Sequence, residues 1–278
     1  MHSRSESVKF QKIWKRIAAS VLGISVGRRP KSNNVSTIGD GDSLEKIKDA
    51  LPHTELIVGF DFTKTNEQTG RISFNGNNLH QIRDGIQNPY EDIISLVGRA
   101  AKDKPVSCFG FGDSTTRDTS VFSFNPENKP CNGFDEALSR YRQIVPDLLL
   151  AGHKTFAPII DKAIEITKMN QGKHYVLLII SDGPVYRCKY TEHGQLSCHE
   201  RNTVDAIKNA REYPLSIIFI GVGDRSGELM RFFENNISRR NFEKLQIVNY
   251  TEIMSKNVPQ SRKEMEFTLA AFKKLPFR

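Results

Sequence analysis

The stretch Glu55-Leu-Ile-Val-Gly-Phe-Asp-Phe-Thr-Lys-Thr65 decides how this chain is read. Its apolar part is too short for a free-standing helix, is rich in β-branched and aromatic residues, and reads as a buried strand. The strand ends on Asp61, and Thr63 and Thr65 follow in the departing loop. A second apolar run, Tyr175-Val-Leu-Leu-Ile-Ile180, reads the same way and ends on Ser181-Asp-Gly183. Between them lies Ala151-Gly-His-Lys-Thr-Phe-Ala-Pro158, which supplies Thr155. Two carboxylates (Asp61, Asp182) and three hydroxyls (Thr63, Thr65, Thr155) on such loops form a hard, oxygen-rich set. That donor type suits Mg²⁺ or Mn²⁺, and Ca²⁺ less well because it wants more ligands. One ion would take the carboxylates, hydroxyls and water, leaving a position for a partner's carboxylate. Each string alone is also an ordinary satisfied turn, since Asp, Ser and Thr bond their own backbone at strand ends. The three together, each placed by a strand, favour the metal reading.

Working outward, strands are expected at 55–61, 105–112, 175–181, 215–222 and 245–249. Helices are expected at 89–101, 133–148, 156–168, 202–212, 227–235 and 260–274. Apolar runs alternating with amphipathic segments predict a mostly parallel sheet covered on both faces, a three-layer, doubly wound α/β fold. Ligands of such folds bind beyond the carboxyl ends of the strands, near the switch in strand order. Asp61, Asp113, Asp182 and Asp224 all fall at carboxyl ends, so one rim collects them. Asp113 and Asp224 read as supporting or turn-capping residues rather than direct ligands.

The chain has 278 residues, 38% of them apolar and 26% charged, the balance of a soluble folded domain. Residues 1–43 read as a basic extension and linker, and 44–278 as one domain. The formal charge is +8, but residues 1–32 hold eight Lys/Arg against Glu6 alone, a local +7. The remainder is therefore close to neutral, and no specific nucleic-acid role follows for the domain. In the extension Phe10, Ile13, Trp14, Ile17, Val21 and Leu22 recur at helical spacing opposite lysines. An interfacial or docked helix, a disordered arm and a targeting peptide remain open, with weak contact to anionic membrane through residues 1–32 as one expectation. The apolar run is about ten residues, too few to span a bilayer.

Of four cysteines (Cys108, Cys131, Cys188, Cys198) none forms a C-x-x-C pair. Cys188, His193, Cys198 and His199 are the one dense Cys/His cluster, at a spacing irregular for zinc. No phosphate-binding glycine loop, G-x-S-x-G or H-E-x-x-H string occurs. His153 and His174 are the histidines nearest the candidate site in sequence, and His153 is expected to face solvent.

A resemblance rests on Leu56–Asn66, Ser73-Phe-Asn75, Asn88-Pro-Tyr-Glu91, Phe109-Gly-Phe-Gly-Asp113, Cys131-Asn-Gly-Phe134, Thr155-Phe-Ala-Pro-Ile-Ile160, Ser181-Asp-Gly183, Gly221-Val-Gly-Asp224 and Asn249-Tyr-Thr-Glu-Ile253. Over about residues 51–278 the chain resembles a von Willebrand factor A domain of the copine type. Within that group it is most similar to the A domain of plant RING-domain ubiquitin ligases. The resemblance implies a metal-ion-dependent adhesion site, with Asp61, Thr63, Thr65, Thr155 and Asp182 on its coordinating positions. Thr65 stands where many A domains have Ser; the hydroxyl is kept, with an added methyl.

The expected function is metal-dependent binding of a protein that presents Asp or Glu to the ion. A link to the ubiquitination machinery is implied by the same resemblance. A RING needs eight Cys/His ligands, which this sequence does not supply, so intrinsic ligase activity is not expected. A RING-less relative, a substrate-recruiting partner and an incomplete gene product stay open, as does a metal-dependent phosphoryl-transfer enzyme. An intracellular, cytoplasmic setting is expected, with nucleus or membrane periphery as variants.

Overall fold

Strand β1 (Glu55–Asp61) lies at the centre of a six-stranded sheet, flanked by β2 (Val106–Phe111) and β4 (Tyr175–Ser181). β3 (Phe122–Ser123), β5 (Leu215–Gly221) and β6 (Leu245–Asn249) complete the order β3-β2-β1-β4-β5-β6. Every pairing is parallel except the two-residue β3, which runs antiparallel to β2. The computed structural model describes residues 37–101, 104–170, 172–237, 244–273 and 275. Residues 1–36, which hold most of the basic extension, lie outside the described residues.

The helices are α1 (Thr37–Ala50), α2 (Pro89–Ala101), α3 (Phe134–Ile144), α4 (Ala157–Met169), α5 (Cys198–Ala210), α6 (Ser226–Asn236), α7 (Tyr250–Ser255) and α8 (Gln260–Phe272). The period-two geometry of a strand sends alternate side chains to opposite layers. Leu56, Val58, Phe60, Val176, Leu178 and Ile180 enter a core shared with Ile47, Tyr90, Ile94, Phe134, Tyr141 and Phe267 of α1, α2, α3 and α8. Ile57, Leu177, Ile179, Ile217 and Phe219 enter the other core, with Ile159, Ile160, Val204, Leu229 and Phe233 of α4, α5 and α6. A fully buried side chain of this kind contributes roughly 1.5–3 kcal/mol. Burial on both faces explains why the strands read as unbroken apolar runs. The architecture is the expected three-layer, doubly wound α/β fold.

Helix ends differ from the sequence expectation where caps or prolines act. α5 begins at Cys198 rather than 202, because Ser197 and Glu200 form a reciprocal capping box. α3 ends at Ile144, and Val145–Asp147 tightens into a single 3₁₀ turn carrying Pro146. Three elements were not expected. α1 starts inside the segment read as linker, where Gly39 and Gly41 mask it; Leu44 and Ile47 are nonetheless buried. β3 is too short to show a period. The six-residue α7 is set by Asn249, whose Oδ1 accepts the Glu252 N–H at 3.1 Å.

The strand order reverses between β1 and β4: β2 follows β1 on one side, while β4 and β5 extend on the other. Asp61 is the last residue of β1, and Asp182 is the first residue after β4. Both candidate carboxylates thus leave the sheet at its topological switch point, where open α/β sheets place their ligands.

Candidate metal centre

The loop after β1 is shaped by its own side chains. Asp61 Oδ1 accepts the Thr63 N–H at 2.9 Å and the Thr63 hydroxyl at 2.6 Å, a local Asx-type turn. Asn66 is wholly buried and donates from Nδ2 to the carbonyls of Asp61 (3.0 Å) and Thr63 (3.1 Å). Its Oδ1 accepts the Tyr90 hydroxyl at 2.7 Å. His80 Nε2 meets the Asp61 carbonyl at 2.8 Å, and its Nδ1 meets the Tyr141 hydroxyl at 2.7 Å. Burial holds the His80 pKa down at about 4, against the raising effect of the Asp61 carbonyl and the nearby Asp182. Neutral His80 and Tyr90 therefore act as rigid props beneath the loop.

Four of the predicted residues are joined directly. Thr63 Oγ1 and Thr65 Oγ1 lie 3.2 Å apart, and Thr65 Oγ1 donates to Asp182 Oδ1 at 3.0 Å. Asp61 and Asp182 are both fully buried. The fifth residue, Thr155, sits in the adjoining loop, but its hydroxyl is bonded to Thr203 Oγ1 of α5 at 3.1 Å. It also caps the Ala157 N–H at 3.4 Å. Among the described residues its hydroxyl bonds Thr203 and Ala157 and neither aspartate.

Sequence reasoning quoted Ser181 without giving its hydroxyl a role, and missed Thr69 and Lys154. Ser181 Oγ donates to Asp61 Oδ2 at 2.5 Å, and Thr69 Oγ1 donates to Asp182 Oδ2 at 2.7 Å. The third is Lys154, only 4% exposed. Its ammonium lies between the two aspartates, 3.0 Å from Asp61 Oδ2 and hydrogen-bonded to Asp182 Oδ1. A third contact runs to Thr65 Oγ1 at 3.2 Å. Burial alone would lower the lysine pKa; Asp182 and Asp61 outweigh it and hold the pKa above its usual value. A lysine beside Thr155 reads from sequence as a solvated surface residue, and only the fold brings it to residues about 90 and 30 positions away.

The other rim carboxylates are structural. Asp113 accepts from Thr115 and Thr116, in the turn that follows it. Asp224 accepts the N–H groups of Ile72 (3.0 Å) and Ser73 (2.8 Å), pinning the loop after Gly70. His153 is exposed and stacks on Tyr186, with ring centroids 3.9 Å apart. His199 pairs with Asp118 at 2.9 Å and contacts Cys198 Sγ at 3.2 Å. Among the described residues no three His, Cys, Asp or Glu side chains converge.

The donor chemistry fits a hard divalent cation. Two buried carboxylates and the Thr65 hydroxyl meet at one point, where a cationic group, the Lys154 ammonium, already lies, and the Thr63 hydroxyl is 3.2 Å from that of Thr65. Asp61, Thr63, Thr65 and Asp182 could hold the ion directly or through water, and Thr155 would have to turn away from Thr203 to join them.

A doubly wound sheet with an acidic, hydroxyl-rich cradle at its switch point defines a class of α/β ligand-binding domains. Residues 78–278 match the copine family, and the chain belongs to that family. It is 50% identical over 246 residues to RGLG2 of Arabidopsis thaliana, named an E3 ubiquitin-protein ligase, covering 85% of this chain and 52% of that protein. RGLG1 of the same plant, also so named, is 48% identical over 90% of this chain and 53% of its own. Copine family protein 1 of Caenorhabditis elegans is 34% identical over 92% of this chain and 22% of its own. The chain spans about half the length of the two ligases. Among solved structures, a von Willebrand factor type A protein from Catenulispora acidiphila aligns over 78% of this chain and 42% of its own, at 9% identity and a TM-score of 0.45.

Proposed function

We propose that this copine domain binds proteins through a divalent cation, Mg²⁺ or Mn²⁺, held by Asp61, Thr63, Thr65, Thr155 and Asp182. The observation that carries this reading is the convergence of Asp61 and Asp182 on one point at the switch between β1 and β4. Two carboxylates and neutral hydroxyls do not fully satisfy the coordination demand of a divalent ion, and an acidic side chain of a partner completes it favourably. The likeness to proteins named E3 ubiquitin-protein ligases supports partners tied to ubiquitination. Against the phosphoryl-transfer alternative stands the engagement of both His80 ring nitrogens, which leaves that imidazole no free acceptor for a proton.

The test is thermal melting in Mg²⁺, Mn²⁺ or EDTA. An ion that binds only the folded state stabilises it by mass action, by about 2.7 kcal/mol at one hundred times Kd, and so raises Tm. Asp61→Ala and Asp182→Ala should remove that rise. Identical melting of the unmutated protein in Mg²⁺, Mn²⁺ and EDTA defeats the reading.

A further inference from the structure

We propose that the Lys154 ammonium is a tethered occupant of the cation cradle, which a divalent ion must displace before an acidic partner can bind. This rests on the metal-dependent reading above and adds a gate to it.

The geometry is that of a filled site. An ammonium has three N–H donors and no acceptor. Here the three have three acceptors: Asp61 Oδ2 at 3.0 Å, Thr65 Oγ1 at 3.2 Å, and Asp182 Oδ1. These oxygens belong to three of the residues proposed to hold the ion. A Mg²⁺ ion sits about 2.0–2.1 Å from each oxygen it binds. It cannot share those oxygens with an ammonium already at hydrogen-bonding distance, and the two cations would repel at close range in a buried, poorly screened place. Occupancy by one therefore excludes the other.

The tether permits the exchange. The backbone of Lys154 is fixed: its carbonyl accepts the Tyr186 N–H at 2.8 Å. The same loop is stitched to the Asp61 loop by a Lys64 N–H to Ala151 carbonyl bond of 2.9 Å. The four-carbon stem has several rotatable bonds, and rotation about them is the movement by which the ammonium would leave. Beside it His153 is exposed and Tyr186 is 36% exposed, so the exit lies next to residues that reach solvent.

Charge then sets the direction of the gate. With Lys154 seated, two carboxylates face one ammonium, and the cradle keeps a net charge of −1 that repels an incoming carboxylate. With a divalent ion seated, the cradle is neutral and the expelled ammonium adds a positive charge at its mouth. The acidic group of a partner is attracted only in the second state.

Exposure of the Lys154 amine reads the exchange on the unmutated chain, with no risk of misfolding. The protein is acetylated briefly with an activated ester in EDTA and in Mn²⁺, and Lys154 modification is followed by mass spectrometry beside exposed Lys208 as internal standard. The expected result is protection in EDTA and at least a tenfold faster modification in Mn²⁺. A parallel titration compares Mn²⁺ binding by the unmutated chain and by Lys154→Met, with at least tenfold tighter binding expected for the variant. If Mn²⁺ raises Tm while Lys154 stays protected, or if the variant binds no more tightly, the gate is overturned and metal-dependent binding stands. If Mn²⁺ neither binds nor alters the melting of either protein, the metal reading falls and the gate with it.

Discussion

Thr69 Oγ1 donates a 2.7 Å hydrogen bond to Asp182 Oδ2, joining residues 113 positions apart. It has a counterpart in Ser181 Oγ, which donates to Asp61 Oδ2 at 2.5 Å. Each aspartate therefore has an oxygen bound by a hydroxyl from the other side: Asp182 from the loop after β1, and Asp61 from the last residue of β4. The two crossed bonds lock the ends of β1 and β4 together and fix where the carboxylates point. Orientation of this kind by neighbouring groups is what a metal cradle requires.

Thr69→Val keeps the shape of the side chain and removes its hydroxyl. Asp182 Oδ2 then loses a buried donor, and a hydrogen bond to a charged group contributes roughly 1.5–3 kcal/mol. The expected outcome is a loss of that order in urea unfolding measured in EDTA. Any Mn²⁺-induced rise in Tm should also shrink, because the freed carboxylate has more than one orientation. An unchanged urea midpoint contradicts the role given to the bond.

Gly112 has a φ of +88°, and a Cβ there would lie 2.4 Å from Thr63 Cγ2. Alanine at this position meets both a disfavoured backbone and a side chain with no room to retreat, since Thr63 is 1% exposed. Gly112→Ala is expected to cost about 1–3 kcal/mol. It should also displace Thr63 from Asp61, so that metal-induced stabilisation falls more than for Gly152→Ala, where the close atoms are backbone of Gly112 and Arg117. Melting of both variants with and without Mn²⁺ checks this.

The strands and the rim carboxylates were legible in the sequence because they depend on local pattern. β1, β4 and β6 occupy 55–61, 175–181 and 245–249 as read, since parallel strands buried on both faces show as continuous apolar runs. Asp61 and Asp182 were legible because each follows such a run. Lys154 was not, because its partners come from the ends of two other elements and nothing nearby marks it as buried. Thr69 was hidden for the same reason, and so was the bond from Ser181 to Asp61, since a hydroxyl's partner is set by tertiary approach. The Asn88-Pro-Tyr-Glu91 string was quoted only as a resemblance, yet its chemistry is local. Asn88 Oδ1 caps the N–H groups of Tyr90 and Glu91 at 3.0 Å, and Glu91 Oε2 accepts the Asn88 N–H at 2.8 Å.

Asn66 should prove the most sensitive residue of the first loop outside the carboxylates. It is wholly buried and satisfies the carbonyls of Asp61 and Thr63 and the hydroxyl of Tyr90. Asn66→Ala removes three buried hydrogen bonds at once, at roughly 0.5–1.5 kcal/mol each. The Asp61 carbonyl keeps His80 Nε2 and the Tyr90 hydroxyl, and the Thr63 carbonyl keeps the backbone N–H of position 66. Tyr90→Phe removes one arm of the same network and should cost less. Denaturant unfolding of the two single variants and the double variant checks the order. The double variant should fall short of the sum, because the Tyr90–Asn66 bond is lost in either single change.

Asp224 gives a pH dependence whose sign can be worked out. Partial burial would raise its pKa, but hydrogen bonds from the Ile72 backbone, the Ser73 side chain and backbone and the Arg71 backbone together outweigh that and lower it. A carboxyl lowered in the fold binds fewer protons than in the unfolded chain at acid pH, so stability rises with pH through that range. The contribution is fully present above the unfolded pKa of about 3.9 and is lost as pH falls through the folded value. Asp224→Asn should therefore lower stability at neutral pH, by about 1 kcal/mol or less after allowing for exposure. The gap between variant and unmutated protein should narrow below about pH 4. Urea midpoints from pH 2.5 to 7 measure it, and amide exchange at Ile72 and Ser73 should quicken in the variant at neutral pH. A gap that stays constant down to the lowest pH rules out the ionised Asp224 as the clamp on this loop.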